Sequence, residues 1–202
     1  LRRQTIAIEN IILGKGYVLK ISELIEKSLS VLSSRIKKPA VEVQTEVMEY
    51  FRQRFAGILQ SKGITGDVIE SVIGSFDNAL DTFARANAIA SIKNEPWLIS
   101  ICAASKRVEN ILKKADAPDS IEEGLLAQEQ EIELYRAFRE VELPFINHSI
   151  KGEYLHALKL LAGLKEPIDL FFDKVLVMAE DMSVRANRLA LLKSIVAMFS
   201  RV

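Results

Sequence analysis

The sequence predicts an all-α fold, and three observations support this prediction. Apolar residues recur at three- and four-residue spacing through most of the 202 residues, which is the periodicity of amphipathic helices. No segment alternates apolar and polar residues as a half-buried strand does, and no internal repeat is present. The chain is 49 % hydrophobic and 27 % charged, which is the composition of a globular protein with an apolar core.

The predicted helices are bounded by residues that favour helix ends. In chain order they span residues 3–13, 21–32, 41–61, 67–75, 77–92, 95–114, 121–140 and 168–178, and a last helix follows residue 181. Gly14 and Gly16 end the first helical run, since glycine commonly follows a helix end. Asn94 is the predicted N-cap of the helix that starts near Pro96, because proline fits a first helical position. Ser120 and Glu123 have the spacing of a capping box before the acidic helix.

A domain boundary is predicted near residue 36. The stretch "SSRIKKPA" is polar and basic and is broken by Pro39, so it indicates a linker between 1–36 and 37–202. The first residues, "LRRQTIAIEN", begin inside a helical pattern and carry no secretory or transit signal. We therefore expect the chain to be part of a longer protein of the cytoplasm.

The residue types that carry most enzyme chemistry are scarce. His148 and His156 have no metal-ligand spacing, and the "GKG" of residues 14–16 lacks the remainder of a phosphate-binding loop. The single cysteine, Cys102, excludes an internal disulfide and lies among apolar residues, so we expect it to be buried and unreactive. No apolar run approaches the roughly 20 residues of a membrane span. The sequence predicts no active site and no bound metal or cofactor.

Charge is segregated along the chain. The net charge is zero, which argues against a protein whose whole surface binds nucleic acid. Residues 85–115 are nevertheless basic, whereas residues 121–142 carry seven glutamates against Arg136 and Arg139. A local nucleic-acid-binding surface is therefore compatible with the composition.

The basic segment holds the candidate RNA-binding residues. They are Lys106, Arg107, Asn110, Lys113 and Lys114. The first, third and fourth lie at positions i, i+4 and i+7 and so share one helix face, which the other two flank. Basic side chains there fit RNA phosphates, and the asparagine amide fits a base edge. A solvated helix face balanced by Glu109 explains the same pattern, and Trp97 fits either base stacking or core packing.

The segment "FFDKVLVMAEDMSVRANRLALL", residues 171–192, predicts a clasp between two helices. The four residues predicted to form the clasp are Asp181, Arg185, Asn187 and Arg188. Asn187 lies within an apolar seam, so its amide must be hydrogen-bonded, and we expect the backbone of the "MAED" corner to bind it. Asp181, or else Ser183, is the expected helix cap, and Asp181 has the spacing of an ion pair with Arg185. Arg188 is expected to contact Glu180 or a carbonyl of the neighbouring helix.

Four blocks of this sequence resemble one known family. The segment just quoted, "AASKRVENILKKA", "YFRQRFAGILQSKGITGDVIESVIG" and "LRRQTIAIENIIL" are similar to blocks of the bacterial-type glycyl-tRNA synthetase beta subunit. They occur in the family's order and span nearly the whole chain, so the agreement is far more specific than any single motif.

The resemblance implies a fold and a role. Residues 37–202 would form a helical anticodon-binding domain of the kind shared with arginyl-type synthetases, and residues 1–36 would be the terminal helices of an HD-like domain. The chain would be the tRNA-binding part of an aminoacyl-tRNA synthetase that recognises tRNA-Gly. The partner alpha subunit, in an alpha2beta2 tetramer, would use ATP and Mg²⁺ to attach glycine. Membrane and DNA are not expected partners.

Two other readings remain open from the residues. The acidic helix 121–140 suits a helical scaffold that contacts another subunit, because its charge repels RNA. The anticodon domain of an arginyl-type synthetase would have the same general fold, although the "FFDKVLVMAED" and "LRRQ" blocks favour the glycyl beta subunit.

Overall fold

The predicted all-α fold is confirmed by a computed structural model, which describes residues 1–113 and 115–201. Within these ranges the chain contains helices, turns and loops and no strand. The α-helices are α1 Arg2–Lys15, α2 Ile21–Leu32, α3 Ala40–Ser61, α4 Gly66–Ile73, α5 Ala79–Ile92, α6 Pro96–Leu112, α7 Glu129–Ile150, α8 Tyr154–Leu160, α9 Lys165–Lys174 and α10 Met182–Phe199. None of these helices has the length and apolar character needed to cross a lipid bilayer.

The chain divides into two compact units, Leu1–Ala90 and Ser91–Val202. The first unit therefore contains the linker that the sequence places after residue 36, and α1 and α2 both pack on α3 within it. The assignment of 1–36 and 37–202 to separate families of domain stays a prediction.

The core of the first unit is built around two stacked aromatic rings. Phe55 of α3 and Phe76 lie with ring centroids 4.8 Å apart, and both side chains are almost completely buried. Leu59, Val72 and Ile21 pack in the same cluster. Side chains from α2, α3 and α4 thus share one apolar core, because each helix places its apolar residues on one face.

A side-chain cap fixes the start of α2 within this unit. The Asp77 carboxylate accepts hydrogen bonds from the backbone N–H and the hydroxyl of Ser22, both at 2.8 Å. The Asp77 carbonyl accepts a third from the Ile21 N–H at 2.7 Å. A carboxylate at a helix N-terminus satisfies otherwise unpaired N–H groups and opposes the positive end of the helix dipole.

The second unit is a helical bundle in which α10 is the most deeply buried helix. Residues 187–192 of α10 are buried on every side, and the helix packs on α6 and on α7. Helix α7 also packs against α8 and α9, and α9 packs against α6. Helix α6 therefore has one side fixed by α9 and α10 and another side exposed to solvent.

The predicted start of the acidic helix is wrong. Residues 121–128 form a loop with one 3₁₀ turn, Glu123–Leu125, and α7 begins at Glu129. The capping box is formed by Gln128 and Glu131 in place of Ser120 and Glu123. The reason is tertiary, since the N–H and the carbonyl of Glu122 in this loop are hydrogen-bonded to Asn187 of α10.

Three further helix ends differ from the prediction. The N-cap of α6 is Glu95, so Asn94 is not the cap, although Pro96 does occupy a first helical position. Helix α9 spans Lys165–Lys174 and not 168–178, because Val175 is extended. Helix α7 continues through Pro144 to Ile150. The hydrogen bond that proline removes there would lie on the exposed side of the helix, where water replaces it at low cost.

Candidate nucleic-acid interface

The exposed side of α6 carries the predicted basic residues. Lys106, Arg107 and Asn110 are exposed, and Lys113 is exposed immediately after the last helical residue. The opposite side of the helix is buried through Ile101 and Val108. Lys106, Asn110 and Lys113 are therefore exposed as their shared helix face predicts, and the flanking Arg107 is exposed as well. Lys114 lies outside the described residues. Their role in RNA binding stays a prediction.

Helix α9 holds α6 in position through two kinds of contact. The guanidinium carbon Cζ of Arg107 lies 4.2 Å from the centroid of the Phe172 ring, a cation–π contact. The hydroxyl of Ser100 donates to the Asp169 carboxylate at 3.4 Å, and Lys165 donates to the same carboxylate at 2.8 Å. The basic surface is therefore mounted on a packed helix and not on a mobile loop.

Two further residues of α6 test predictions about burial, and the prediction for Cys102 is wrong. Cys102 is exposed, so the prediction that it is buried is wrong. Partial desolvation nevertheless raises the pKa of its thiol, and this outweighs the opposing charge of Lys106. A raised pKa leaves little thiolate, so the expectation that Cys102 is not an activated nucleophile is retained. Trp97 is half-buried on the side of α6 opposite Lys106, which favours packing over base stacking.

Asn187 of α10 clasps the loop that precedes α7. Its side-chain oxygen accepts a hydrogen bond from the Glu122 N–H at 2.7 Å, and its amide nitrogen donates to the Glu122 carbonyl at 3.0 Å. The side-chain amide of Asn187 is therefore hydrogen-bonded to backbone groups, as its position in an apolar seam predicted. The expected partner is wrong, however, because the bound backbone belongs to residue 122 and not to the "MAED" corner.

Arg188 forms the second half of the clasp. Its Nε donates to the carboxylate of Glu131 on α7, and its Nη1 donates to the Leu176 carbonyl at 2.7 Å. The carboxylate of Glu131 also accepts the N–H groups of Ala127 and Gln128, at 2.9 Å and 2.8 Å. Arg188 therefore forms a buried ion pair with Glu131 and not the expected contact with Glu180. The carbonyl that it binds belongs to Leu176, which lies just beyond the end of α9.

Asp181 and Arg185 do not form the predicted ion pair within the described chain. Asp181 is the N-cap of α10 and accepts the N–H groups of Ser183 and Val184, at 2.8 Å and 3.2 Å. Hydrogen bonds from the Ser183 hydroxyl and from these N–H groups lower the pKa of the Asp181 carboxyl. Arg185 instead donates to the thioether of Met182. The capping part of the prediction is confirmed and the ion pair is wrong.

Three residues of the second unit were missed by the sequence reasoning. Glu131 and Phe172 are the partners of Arg188 and Arg107. Lys193 holds the loop after α6 by donating to the Ala117 carbonyl at 3.0 Å and to Asp119 at 2.7 Å. The capping-box spacing of Gln128 and Glu131 was the signal that could have indicated Glu131. No local pattern indicated Phe172 or Lys193, because their partners are distant in sequence.

The two histidines lie together on the surface near the α7–α8 turn. The rings of His148 and His156 are stacked with centroids 5.7 Å apart, and Glu153 is hydrogen-bonded to His148 at 2.6 Å. Contact with His148 lowers the pKa of the Glu153 carboxyl. Among the described residues no group of three or more His, Cys, Asp or Glu side chains has a geometry that could hold a metal ion.

Comparison with known proteins identifies two families along the chain. The glycyl-tRNA synthetase beta subunit family matches residues 1–74. The DALR anticodon binding domain family matches residues 101–201, which include α6 from Ile101 onward and the whole clasp.

The curated relatives match the chain throughout. The glycine–tRNA ligase beta subunit of Trichlorobacter lovleyi is 42 % identical over 204 residues, that of Geobacter metallireducens 38 % over 203, and that of Syntrophotalea carbinolica 36 % over 200. These alignments cover 98–100 % of this chain and 29 % of each relative. The chain thus spans 29 % of the length of these relatives. The chain belongs to the glycyl-tRNA synthetase beta subunit family, and its residues 101–201 belong to the DALR anticodon binding domain family.

Proposed function

We propose that this chain is the tRNA-binding part of a glycine–tRNA ligase beta subunit and that the exposed side of α6 binds the anticodon arm of tRNA-Gly. The observation that carries the proposal is the position of that surface inside the segment that matches the DALR anticodon binding domain. The exposed residues Lys106, Arg107, Asn110 and Lys113 supply the chemistry that an RNA loop requires. Lys114 follows them directly in the sequence and completes the proposed set.

The side chains divide into two roles in this proposal. Lys106 and Lys113 neutralise phosphates, which makes binding sensitive to salt and independent of sequence. Asn110 offers one donor and one acceptor to a base edge, and this is the chemistry that reads sequence. The clasp of Asn187 and Arg188 acts at a distance by fixing the bundle on which α6 is mounted.

Catalysis is proposed to belong to another subunit. No catalytic residue is assigned to this chain, and the aminoacylation of tRNA with glycine is proposed to take place on a partner alpha subunit that uses ATP and Mg²⁺. We propose an alpha2beta2 tetramer in the cytoplasm as the complete enzyme. The names of the curated relatives support a glycyl rather than an arginyl enzyme.

A subunit-contact surface is a second candidate function, and one observation favours it. Ile132, Leu143 and Ile150 of α7 are exposed by 39 %, 63 % and 80 %. They are 11 and 7 residues apart and therefore lie on one side of the helix. The acidic segment itself supports this function less than its composition suggests, because Glu131 is buried against Arg188 and is not available to a partner.

Binding to anticodon variants separates these functions. The dissociation constant of the chain is measured for tRNA-Gly and for the same tRNA with an exchanged anticodon, at several salt concentrations. We expect tighter binding to tRNA-Gly, and we expect Lys106→Glu/Lys113→Glu to weaken binding to both RNAs by at most a few kcal/mol. Equal affinity for both anticodons would contradict anticodon recognition.

The subunit-contact candidate is tested by assembly. An Ile132→Ser/Ile150→Ser variant that binds tRNA-Gly normally but no longer co-purifies with the alpha subunit would favour it. Retained assembly by this variant would count against a contact through α7.

A further inference from the structure

Arg107 is exposed yet held in place. Its guanidinium carbon lies over the Phe172 ring, 4.2 Å from the centroid, so the aromatic ring covers one side of the group. Arg107 is nevertheless an exposed residue, which means that solvent reaches the remainder of the group. A long side chain that is already ordered loses less entropy on binding than one that moves freely.

The neighbours of Arg107 on α6 leave space and offer hydrogen bonds. Ala103, one turn earlier, is exposed and has only a methyl side chain, so it leaves room beside the guanidinium. Asn110, three residues later, is exposed and its amide both donates and accepts. The surface around Arg107 therefore combines a flat cationic group with a hydrogen-bonding amide.

The charges around this position favour a neutral group over a phosphate. Phe172 is followed on α9 by Asp173, whose carboxylate is exposed, whereas the Asp169 carboxylate is paired with Lys165. Carboxylates repel phosphate oxygens but not a neutral nucleobase. Lys106 and Lys113, by contrast, carry their charges on the same helix away from α9 and suit the flanking phosphates.

We propose that Arg107 is a base-contacting residue of the RNA site, which receives one unstacked nucleobase of the anticodon loop on the guanidinium face opposite Phe172, and that Phe172 is the residue that positions it. Asn110 then binds the edge of that base. This inference rests on the proposed function. It adds that Arg107 contacts a base and that Phe172, which lies outside α6, positions the Arg107 side chain. Bases of single-stranded RNA commonly stack on arginine guanidinium planes.

The test uses substitutions that separate charge from planarity. Arg107→Lys keeps the charge and removes the planar group, so it would preserve a phosphate contact and abolish base stacking. We expect Arg107→Lys to weaken binding of the chain to the tRNA-Gly anticodon hairpin about tenfold without changing the salt dependence. Phe172→Leu is expected to weaken binding about threefold. Phe172→Tyr, which keeps the ring, is expected to restore it.

A double-mutant cycle supplies the readout that a merely structural role would not give. Phe172→Leu should add nothing to Arg107→Lys, because both remove the same stacked arrangement. Phe172→Leu and Lys106→Gln, which have no common contact, should instead multiply in their effects. The melting temperature of each variant shows whether the half-buried Phe172 has been replaced without loss of the fold.

Hairpins with one abasic nucleotide locate the base. One loop position should cost the wild-type chain about tenfold in affinity and cost Arg107→Lys little. Equal losses for both proteins at every position, or unchanged affinity of Arg107→Lys, would overturn the inference while leaving the proposed function intact. If the wild-type chain does not bind the hairpin, or Lys106→Glu/Lys113→Glu binds it normally, the proposed function fails as well.

Discussion

Arg188 of α10 and Glu131 of α7 form an ion pair in the interior of the second unit, where Arg188 is 5 % exposed and Glu131 is fully buried. The pair is completed by hydrogen bonds to three backbone groups, two donated to the Glu131 carboxylate and one donated by the Arg188 guanidinium. Such completion is what makes a buried ion pair tolerable, because an unpaired charge in the same place would be strongly destabilising.

Removal of one partner of this pair should therefore be costly. Arg188→Met is expected to lower the free energy of unfolding by about 3–5 kcal/mol, because it leaves the Glu131 carboxylate buried without its cation. Arg188→Met/Glu131→Gln should recover part of this loss. Urea denaturation measures both values, and a single variant as stable as the wild type would contradict the account of the clasp.

Asn187→Ala should act on stability more than on RNA binding. The substitution removes two hydrogen bonds to the Glu122 backbone, and we expect it to lower the free energy of unfolding by about 1–3 kcal/mol. The affinity for tRNA-Gly per folded molecule should change little, since the candidate contacts lie on α6. Unchanged melting together with lost tRNA affinity would refute this assignment.

The first unit should lose stability as pH rises. Glu9 is fully buried, neither of its carboxyl oxygens accepts a hydrogen bond from the described residues, and burial raises its pKa from 4.5 to about 8 despite the opposing charge of Arg54. Between about pH 4.5 and pH 8 the Glu9 carboxyl is thus protonated in the folded state and ionised in the unfolded state. The contribution to stability is complete below pH 4.5 and is lost as pH rises towards 8.

Glu9→Gln should remove this dependence. At pH 8 the variant is expected to be more stable than the wild type by about 2 kcal/mol, less than the full cost of ionisation because the amide must also be buried. The melting temperature of the first unit, followed from pH 4.5 to pH 8, checks the slope. Parallel wild-type and Glu9→Gln profiles would contradict the buried position of the carboxyl.

The fold could be predicted from the sequence because its main determinants are local. Apolar periodicity places each helix, and glycine and proline mark many of the ends. The exposed side of α6 follows from spacing alone, since Lys106, Asn110 and Lys113 must share a surface wherever the helix lies.

Long-range partners could not be predicted in the same way. The delayed start of α7 accompanies two hydrogen bonds between the Glu122 backbone and Asn187, which is 65 residues further along the chain. No local sequence pattern indicated that Arg107 would contact Phe172. Glu131 lies in a glutamate-rich segment and was not distinguishable there from a surface glutamate. In each case tertiary packing selected among conformations that the local sequence allowed.

RNA binding by the exposed side of α6 should be visible in the salt dependence of tRNA-Gly binding. Lys106→Gln/Lys113→Gln is compared with Lys151→Gln/Lys159→Gln, which removes the same charge from exposed lysines of the same unit. We expect the α6 variant to lower the slope of log affinity against log salt concentration by about 1.5 and the control variant to leave it unchanged. Identical slopes for the two variants would contradict RNA binding by this side of α6.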